Sequence, residues 1–378
     1  MRILVLSHEY PPVGGGGGRV AQDLCEGLAQ RGHAVQVLTA HYNGLDLEEV
    51  RQNVRIRRLV SGRHAPYVAS FGAMLQYVLA AYRVGLPLIR SWKPDVLHVH
   101  FAVPGGVIGR ALSRATGIPY VITAHLGDVP GGTPEKTERW FRWVYPFTPA
   151  IWRDAARVVA VSAYTRQLAM RHYPVPIEVI PNGVDLQALC PGAHPGEPPR
   201  LIFAGRFAEQ KNPLQVVRVL SGLRELPWHC VMAGDGALRP AVEAELQATG
   251  LAERFTLTGW IEPQQVVDWF ERSDILFMPS RSEGLPVVGV QALAMGLALV
   301  VGRAGGFVEL VEEGQNGFVC DPENTQAMQN ALSVLLGDSA QLIAFRQRSR
   351  ELAGRFDLQN VLDAYEQVLA QAMQRKRR

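Results

Sequence analysis

Short apolar runs recur along the chain and alternate with longer segments in which apolar residues return at helical spacing. Runs of the first kind are typical of buried β-strands, and segments of the second kind are typical of helices that cover a sheet. We predict strands at 3–6, 34–39, 54–60, 95–99, 120–123, 157–162, 201–204, 230–232, 255–258, 274–278 and 297–301. A chain that alternates strand and helix in this way forms parallel α/β sheets.

A segment rich in proline and glycine, CPGAHPGEPPR at 190–200, interrupts the alternation, and the strand pattern restarts directly after it. Such a composition is typical of a linker. A chain of 378 residues is also long enough for two hydrophobic cores. We therefore predict an α/β protein with two doubly wound, Rossmann-like domains that face a central cleft, the first at 1–190 and the second at 191–356.

The composition excludes several classes of protein. A hydrophobic content of 47% with 19% charged residues fits a globular protein with large cores, and the formal charge of +3 is too small to indicate a nucleic-acid partner. The four cysteines are Cys25, Cys190, Cys230 and Cys320, and their spacing matches neither a metal site nor a disulfide framework. The start MRILVLS is too short for a signal peptide. We therefore expect a cytoplasmic protein.

One long apolar segment, 71–89, raises the question of a membrane. Because it carries Gln76 and Arg83 near its middle, a spanning helix is disfavoured and a buried helix is preferred. The alternative is a helix that lies on a membrane surface, which would make the protein peripheral at the inner membrane face. Two further features agree with that alternative: the aromatic residues Trp140, Phe141, Trp143, Tyr145, Phe147 and Trp152, and the basic tail at 375–378.

The segment 274–301 predicts a strand, a polar turn, a helix and a second strand. Glu283 lies in the turn at the carboxyl end of the first strand, where open α/β sheets bind ligands. Pro286 would occupy the first helical turn, whose N–H groups attract anions. Gln291 follows eight residues after Glu283 and can share its side of the helix. An ordinary surface turn is the alternative, but this arrangement favours a ligand with hydroxyls and phosphate.

A second turn carries two cations. Gly205 follows a predicted strand, and Arg206 and Lys211 come next in the sequence. A solvated basic loop is the common alternative. Arginine provides a forked donor and lysine a point charge, so together these side chains can hold phosphate groups.

The first half contains two more candidate turns. Five consecutive glycines at 14–18 follow the first strand, and their spacing does not match the dinucleotide-binding pattern. We predict a loop there, followed by a helix from residue 19, whose bare backbone at Gly15 and Gly16 lets a phosphate or acceptor approach. The strand at 120–123 leads into a turn that contains His125 and Asp128.

These turns resemble those of the family 4 retaining glycosyltransferases. The resemblance rests on Glu283-Gly284, the pair Arg206 and Lys211, the glycine-rich loop, and the His125 turn, and it spans nearly the whole chain. Two positions depart from the family pattern: Gln291 replaces the second Glu of the signature, and Leu126 replaces the glycine that normally follows the histidine.

The resemblance implies a role for each motif. Glu283 and His125 would contact the transferred sugar, Arg206 and Lys211 the donor diphosphate, and these four are the candidate catalytic residues. Asp128 would contact the acceptor. The remaining residues implied to bind the donor are Gly15, Gly16, Gly205, Trp260, Ile261, Gly284, Leu285, Pro286, Val287, Gln291 and Glu309. Of these, Trp260 and Ile261 lie where the family holds the nucleobase, and Gln291 where it holds the ribose.

The resemblance also implies a GT-B fold, in which residues 1–190 bind the acceptor, residues 191–356 bind a UDP- or GDP-sugar, and the C-terminal helix at 357–378 crosses back to the first domain. Transfer to a hydroxyl of a lipid-linked, glycan or small-molecule acceptor would retain the anomeric configuration. We expect no cofactor and no metal, because the sequence has no Asp-x-Asp motif and the nucleotide-sugar is a substrate.

Three alternatives remain open. A nucleotide-sugar epimerase or a phosphorylase can use the same fold, and the Gln291 departure also fits a non-catalytic subunit that binds nucleotide-sugars. A nicotinamide oxidoreductase agrees least well, because the glycine spacing is wrong.

Overall fold

The computed structural model describes residues 1–65, 69–134, 141–189, 191–192 and 196–374, and structural statements below concern those residues. Trp140, Cys190 and the basic tail at 375–378, to which the sequence analysis refers, lie outside them. The chain divides into two compact units. The first comprises Met1–Pro181 with Gln359–Arg378, and the second comprises Asn182–Leu358.

The first unit is built on an eight-stranded sheet. Its strands are β1 (Arg2–Leu6), β2 (Ala34–Ala40), β3 (Glu48–Arg51), β4 (Val54–Leu59), β5 (Val96–His100), β6 (Tyr120–Ala124), β7 (Arg157–Ala160) and β8 (Glu178–Val179). They are ordered β3-β4-β2-β1-β5-β6-β7-β8, and every pairing is parallel except that of β3 with β4. Neither β3 nor β8 is among the predicted strands. Both are short, and β3 is a polar edge strand without an apolar run.

The described helices that accompany these strands include α1 (Gly16–Gln30), α2 (Phe71–Trp92), α3 (Gly105–Thr116), α4 (Thr148–Asp154) and α5 (Ala163–Met170). The predicted loop over the whole glycine run is wrong, because α1 begins at Gly16 and includes the last three glycines. Close packing explains why these glycines are helical. A Cβ at Gly17 would lie 2.5 Å from Cζ of Phe101, so only glycine lets the first turn of α1 approach that ring.

Helix α2 has two apolar faces. One packs into the core of the first unit through Ala73, Tyr77, Ala81, Gly85, Leu88 and Ile89. The hydroxyl of Tyr77 donates a hydrogen bond of 2.8 Å to the Leu38 carbonyl in β2. The other face exposes Phe71, Leu75, Leu79 and Tyr82, which follow one another at helical spacing. By length and composition alone, α2 is the one helix among the described residues that could cross a membrane, and a third of its 18-residue apolar window is buried in the protein.

The second unit contains a six-stranded parallel sheet. Its strands are β9 (Arg200–Ala204), β10 (His229–Ala233), β11 (Phe255–Gly259), β12 (Ile275–Met278), β13 (Ala298–Gly302) and β14 (Gly317–Cys320), in the order β11-β10-β9-β12-β13-β14. Its helices are α6 (Pro213–Ser221), α7 (Arg239–Thr249), α8 (Pro263–Glu271), α9 (Val287–Ala294), α10 (Thr325–Gly337) and α11 (Ser339–Ala353). The predicted strands recur with ends shifted by one or two residues, and β14 is not among them.

The last helix, α12 (Leu358–Gln374), belongs to the first unit from Gln359 onward. Arg31 Nη1 lies 2.6 Å from a carboxylate oxygen of Asp363, and His33 Nε2 lies 2.7 Å from one of Glu366. These polar contacts fix α12 beside the end of α1. The prediction that the terminal helix returns to the first half of the chain is confirmed.

Candidate functional site

Both sheets reverse their strand order in the middle. The reversal lies between β1 and β5 in the first unit and between β9 and β12 in the second. The loops that leave two such strands diverge, which opens a crevice at the carboxyl edge of the sheet, and this is where open α/β sheets bind ligands. The predicted site residues of the second unit follow β9, β11, β12 and β13, so they belong to that edge.

In the second unit the turn after β9, which carries Arg206 and Lys211, meets the turn after β12, which carries Glu283. We call them the cationic turn and the acidic turn. Lys211 Nζ lies 2.6 Å from Oε1 of Glu283. Lys211 is the last residue of a short 3₁₀ turn after β9. Asn212, in a left-handed conformation, is the N-cap of α6. Glu283 is only 5% exposed, so the pair is largely shielded from water. Since an ammonium has three donors, two remain for a ligand.

Arg206 adds a second cation to the turn after β9. Its Nε is buried, and this atom has no hydrogen-bond partner within the described residues. A buried donor without a partner is costly, and a bound anion would satisfy it. Gly205, directly before Arg206, donates its N–H to the Ala233 carbonyl at 2.9 Å, which ties the turn to β10.

Hydrogen bonds from other segments of the second unit help to hold the acidic turn in place. Gln210 Nε2 donates to the Ser282 carbonyl at 2.8 Å, and the N–H of Gly306 donates to the Glu283 carbonyl at 3.2 Å. Asn182 Nδ2 donates to the Leu285 carbonyl at 2.6 Å, and this asparagine is buried. Asn182 was not predicted as a site residue. It follows a proline and precedes a glycine, which signals a turn, but nothing local indicates a partner about a hundred residues away.

Helix α9 begins directly after the acidic turn. Pro286 is its N-cap in an extended conformation, so the predicted helical start at Pro286 is one residue early. No side chain caps α9. Its first N–H groups lack intrahelical partners and carry the positive end of the helix dipole, a site that favours phosphate. Gln291 lies half-buried on the same helix.

The remaining predicted donor residues lie in neighbouring turns. Trp260 and Ile261 follow β11, and Glu309 lies in the 3₁₀ turn Gly305–Leu310 after β13. Trp260 is 47% exposed, and Glu309 is exposed as well. A Cβ at Gly306 would overlap the Gly284 carbonyl, so close packing of this loop on the acidic turn requires glycine. The roles of Trp260, Ile261 and Glu309 stay predictions.

In the first unit, Asp128 organises the turn after β6. Its two carboxylate oxygens accept the N–H groups of His125 at 3.0 Å and of Ala102 at 2.6 Å. Asp128 is 1% exposed, and burial raises the pKa of its carboxyl to about 6. The predicted acceptor contact stays a prediction. The geometry gives Asp128 a structural role, because its carboxylate joins the turns that follow β5 and β6.

His125, which is half-buried, lies beside the buried histidines His98 and His100. Its Nε2 lies 3.0 Å from Nδ1 of His100, and His98 Nε2 lies 2.9 Å from Oγ1 of Thr123. Burial lowers the pKa of His98 to about 4 and that of His125 to about 3, and it holds the pKa of His100 well below its ordinary value. The three imidazoles are therefore neutral at physiological pH. His98 and His100 were not predicted as site residues. His98 lies in the predicted strand 95–99 and His100 directly follows it, and residues two apart in an extended chain share one face.

The glycine run begins beside a carboxylate. Glu9 Oε2 accepts the N–H of Gly15 at 3.0 Å, and Gly15 is the N-cap of α1. Phe101, which contacts the ring of His125 at a centroid distance of 4.6 Å, has a left-handed φ of 68°. Leu126 also has a left-handed φ, 85°, at the position where the family pattern has glycine. Such backbone strain is commonly retained at functional sites.

Within the part of the chain that the structure describes, no three His, Cys, Asp or Glu side chains are grouped so that they could hold a metal ion.

Two protein-family models match the sequence. The model described as Glycosyltransferase Family 4 matches residues 14–188, and the model described as Glycosyl transferases group 1 matches residues 191–352. The chain is also similar to a glycogen synthase of Mycobacterium tuberculosis, with 29% identity over 409 residues that covers 100% of this chain and 96% of the relative.

Solved structures agree in fold. Sucrose-phosphate synthase from Thermosynechococcus elongatus superposes with a TM-score of 0.86 at 22% identity, covering 98% of each chain. HepE from Anabaena in complex with UDP-glucose superposes with a TM-score of 0.77 at 18% identity, covering 98% of this chain and 99% of that one. At these identities the likeness establishes the fold alone. Taken with the two family models, it shows that the chain belongs to the family 4 glycosyltransferases and has the GT-B fold.

Proposed function

We propose that this glycosyltransferase takes a sugar from a UDP- or GDP-sugar and transfers it to a hydroxyl acceptor with retention of the anomeric configuration. The observation that carries the proposal is the contact between Lys211 and Glu283 at the crevice between β9 and β12. A cation for phosphate and a carboxylate for hydroxyls lie within hydrogen-bond distance of each other, as a sugar and its diphosphate require. The UDP-glucose complex of HepE supports the same donor class.

Charge development explains the roles that we assign in the second unit. Breaking the bond between the anomeric carbon and the phosphate oxygen leaves negative charge on the diphosphate. Arg206, Lys211 and the first N–H groups of α9 would stabilise that charge, and such preorganised donors act without moving. Glu283 would accept hydrogen bonds from sugar hydroxyls, which orients the anomeric carbon. We propose that the reaction is metal-independent, since these groups supply the positive charge.

We propose front-face attack as the route to retention. The acceptor oxygen forms its bond to the anomeric carbon on the side from which the phosphate departs, and the acceptor proton passes to the departing phosphate oxygen. This sequence of steps balances without a covalent sugar–enzyme intermediate, so no protein nucleophile is assigned. His125 in the first unit would donate a hydrogen bond to the transferred sugar.

The donor class is tested first by binding. A panel of UDP-, GDP- and ADP-sugars is added to the protein, and the shift of the thermal unfolding midpoint is measured, because a ligand that binds the native state raises it. We expect a shift with UDP- or GDP-sugars and none with the free monosaccharides. The absence of a shift with every nucleotide-sugar contradicts the proposed donor.

Turnover then separates the alternatives. Incubation with donor and no acceptor yields an epimerised sugar only if the protein is an epimerase, and phosphate as acceptor yields a sugar phosphate only if it is a phosphorylase. Binding without turnover across an acceptor screen favours the non-catalytic subunit that the Gln291 departure leaves open. For the transfer product, the anomeric proton coupling in NMR gives the stereochemistry, and an unchanged rate in excess EDTA supports metal independence.

We also propose where the enzyme works. The described cysteines Cys25, Cys230 and Cys320 are buried free thiols, which fits a reducing cytoplasm. The exposed apolar face of α2 fits contact with a membrane surface, and a lipid-linked acceptor would then be within reach. Glycan and small-molecule acceptors remain the other outcomes of the screen.

A further inference from the structure

The contact between His100 and His125 has a consequence for the ligand-facing side of His125. His100 is the last residue of β5 and is fully buried, while His125 follows β6 and is half-buried. Among the described residues, the ring of His125 makes one hydrogen bond, through Nε2 to Nδ1 of His100 at 3.0 Å. The nitrogen of His125 that is left for a ligand is therefore Nδ1.

A hydrogen bond between two neutral imidazoles needs one donor and one acceptor. If His100 Nδ1 donates, His125 Nε2 accepts and the proton of His125 must lie on Nδ1. If the bond runs the other way, His125 Nδ1 is an acceptor. Burial keeps the pKa of both rings low, which excludes the arrangement in which an imidazolium donates from both nitrogens.

The other nitrogen of His100 favours the first arrangement. His100 Nε2 is buried, and it has no hydrogen-bond partner in the described residues. In the first arrangement this atom is an unpaired acceptor, and in the second it is an N–H without a partner. In folded proteins, buried N–H donors without a partner are rarer than buried acceptors without a partner.

The backbone also fixes the pair. Phe101 follows His100 and Leu126 follows His125, and both adopt left-handed φ angles of 68° and 85°. Each histidine thus lies directly before a strained residue, where the chain turns away from its strand. Such strain is retained where the surroundings determine one geometry. The planes of the two rings lie within 21° of each other and their centroids are 5.3 Å apart, an edge-to-edge arrangement that suits a hydrogen bond between ring nitrogens.

We propose that His100 is a positioning residue that donates its Nδ1–H to His125 Nε2, holds His125 in the Nδ1–H tautomer, and so directs an N–H donor at an oxygen of the transferred sugar. This inference rests on the proposed function, because it takes His125 as the residue that meets the sugar. It also states what His125 recognises: a sugar oxygen in the role of hydrogen-bond acceptor.

The tautomer is measured without turnover. Long-range ¹H–¹⁵N NMR of the full chain labelled with ¹⁵N-histidine distinguishes a protonated from an unprotonated ring nitrogen, and the signals that disappear in His125→Gln identify His125. We expect protonated Nδ1 in the wild type. In His100→Leu, which removes the donor, we expect Nε2 of His125 to become protonated in part or fully. Protonated Nε2 in the wild type, or an unchanged tautomer in folded His100→Leu, overturns the proposal.

A matched control separates this role from simple packing. His98→Gln alters the neighbouring buried histidine but keeps a donor for Thr123, and it should leave the His125 tautomer unchanged. If His98→Gln shifts the tautomer as much as His100→Leu does, packing and not the hydrogen bond controls it, and the proposal fails.

Kinetics add an independent measurement. With a donor that the wild type turns over, His100→Leu should lower kcat/KM about tenfold, as expected for a lost oriented hydrogen bond. His100→Asn, whose amide can donate from nearly the same place, should recover much of that loss. Equal losses in both variants contradict the proposal. A failure to turn over any nucleotide-sugar counts against the proposed function. The NMR measurement needs no donor, so it still decides whether His100 fixes the tautomer of His125.

Discussion

Lys211 Nζ lies 2.6 Å from Glu283 Oε1, and the two residues come from turns that follow the neighbouring strands β9 and β12. Each charge is neutralised by the other while no ligand is bound. When a donor binds, the ammonium can keep this contact and still offer two N–H groups to phosphate. The pair therefore links the structural stability of the site to its chemistry, and removal of one partner affects both.

Lys211→Met should reduce transfer about a hundredfold, because one preorganised charge on the leaving diphosphate is lost. It should also destabilise the protein by roughly 3 kcal/mol, since the Glu283 carboxylate is left buried without its cation. In the double variant with Glu283→Gln the destabilisation should be smaller, because no charge remains unpaired. Chemical denaturation of the single and double variants measures the coupling, and steady-state kinetics with saturating donor measure the rate.

Arg348 provides the control for that experiment. It pairs with Glu312 at 2.6 Å in the same unit, and this pair is more exposed to water. Arg348→Met should change stability by less than about 1 kcal/mol and leave transfer unchanged. Unchanged turnover in Lys211→Met would remove Lys211 from the mechanism.

Gln291→Glu should tighten donor binding about fivefold. A carboxylate accepts ribose hydroxyls more strongly than an amide does, by about 1 kcal/mol. Calorimetric titration with the donor found in the binding panel gives the affinity. Gln347→Glu, an exposed position on α11, introduces the same charge elsewhere in the second unit and should leave the affinity unchanged. An unchanged donor affinity in Gln291→Glu would show that residue 291 does not contact the ribose.

Sequence reasoning located most strands because a buried parallel strand is a run of apolar residues. It missed β3, whose sequence EEVR has no such run, and it missed the helical glycines because glycine is unfavourable in an isolated helix. What decides the start of α1 is the space beside Phe101, which is set by another strand. Tertiary packing there overrides local preference.

The same limit applies to the site. The turns with Arg206, Lys211 and Glu283 were predicted, since short motifs after strands indicate ligand binding. The contact between Lys211 and Glu283 depends on β9 and β12 being neighbours, which is a property of strand order. His100 and Asn182 were missed for a related reason: their partners are 25 and 103 positions away in the sequence.

We expect the exposed apolar face of α2 to bind membranes, and substitution of that face should weaken the binding. Leu75 and Leu79 are each 51% exposed, and Arg83 and Arg90 lie exposed on the same helix, a combination that suits an anionic lipid surface. We expect the wild type to float with vesicles that contain anionic lipid, and Leu75→Glu with Leu79→Glu to lose at least tenfold in binding. Ile343→Glu, an exposed apolar position in the second unit, is the control. Equal flotation of the double variant and the wild type would contradict the prediction.

The buried histidines should make the protein sensitive to acid. Burial lowers the pKa of His8 and His98 to about 4 and that of His125 to about 3, below the value near 6.5 expected in the unfolded chain. Between about pH 4 and 6.5 the unfolded state therefore binds more protons, so stability falls as the pH is lowered through this window.

Asp128 acts in the opposite direction. Its carboxyl has a raised pKa of about 6, so between about pH 4 and 6 the folded state binds the extra proton and stability falls as the pH rises. The histidines outnumber it, and we expect a net loss of stability on acidification. Thermal unfolding midpoints at pH 7.5, 6.0 and 5.0 measure the slope. His98→Gln removes one buried imidazole and keeps the Thr123 contact, so its slope should be shallower than that of the wild type; identical slopes would show that His98 does not carry this pH dependence.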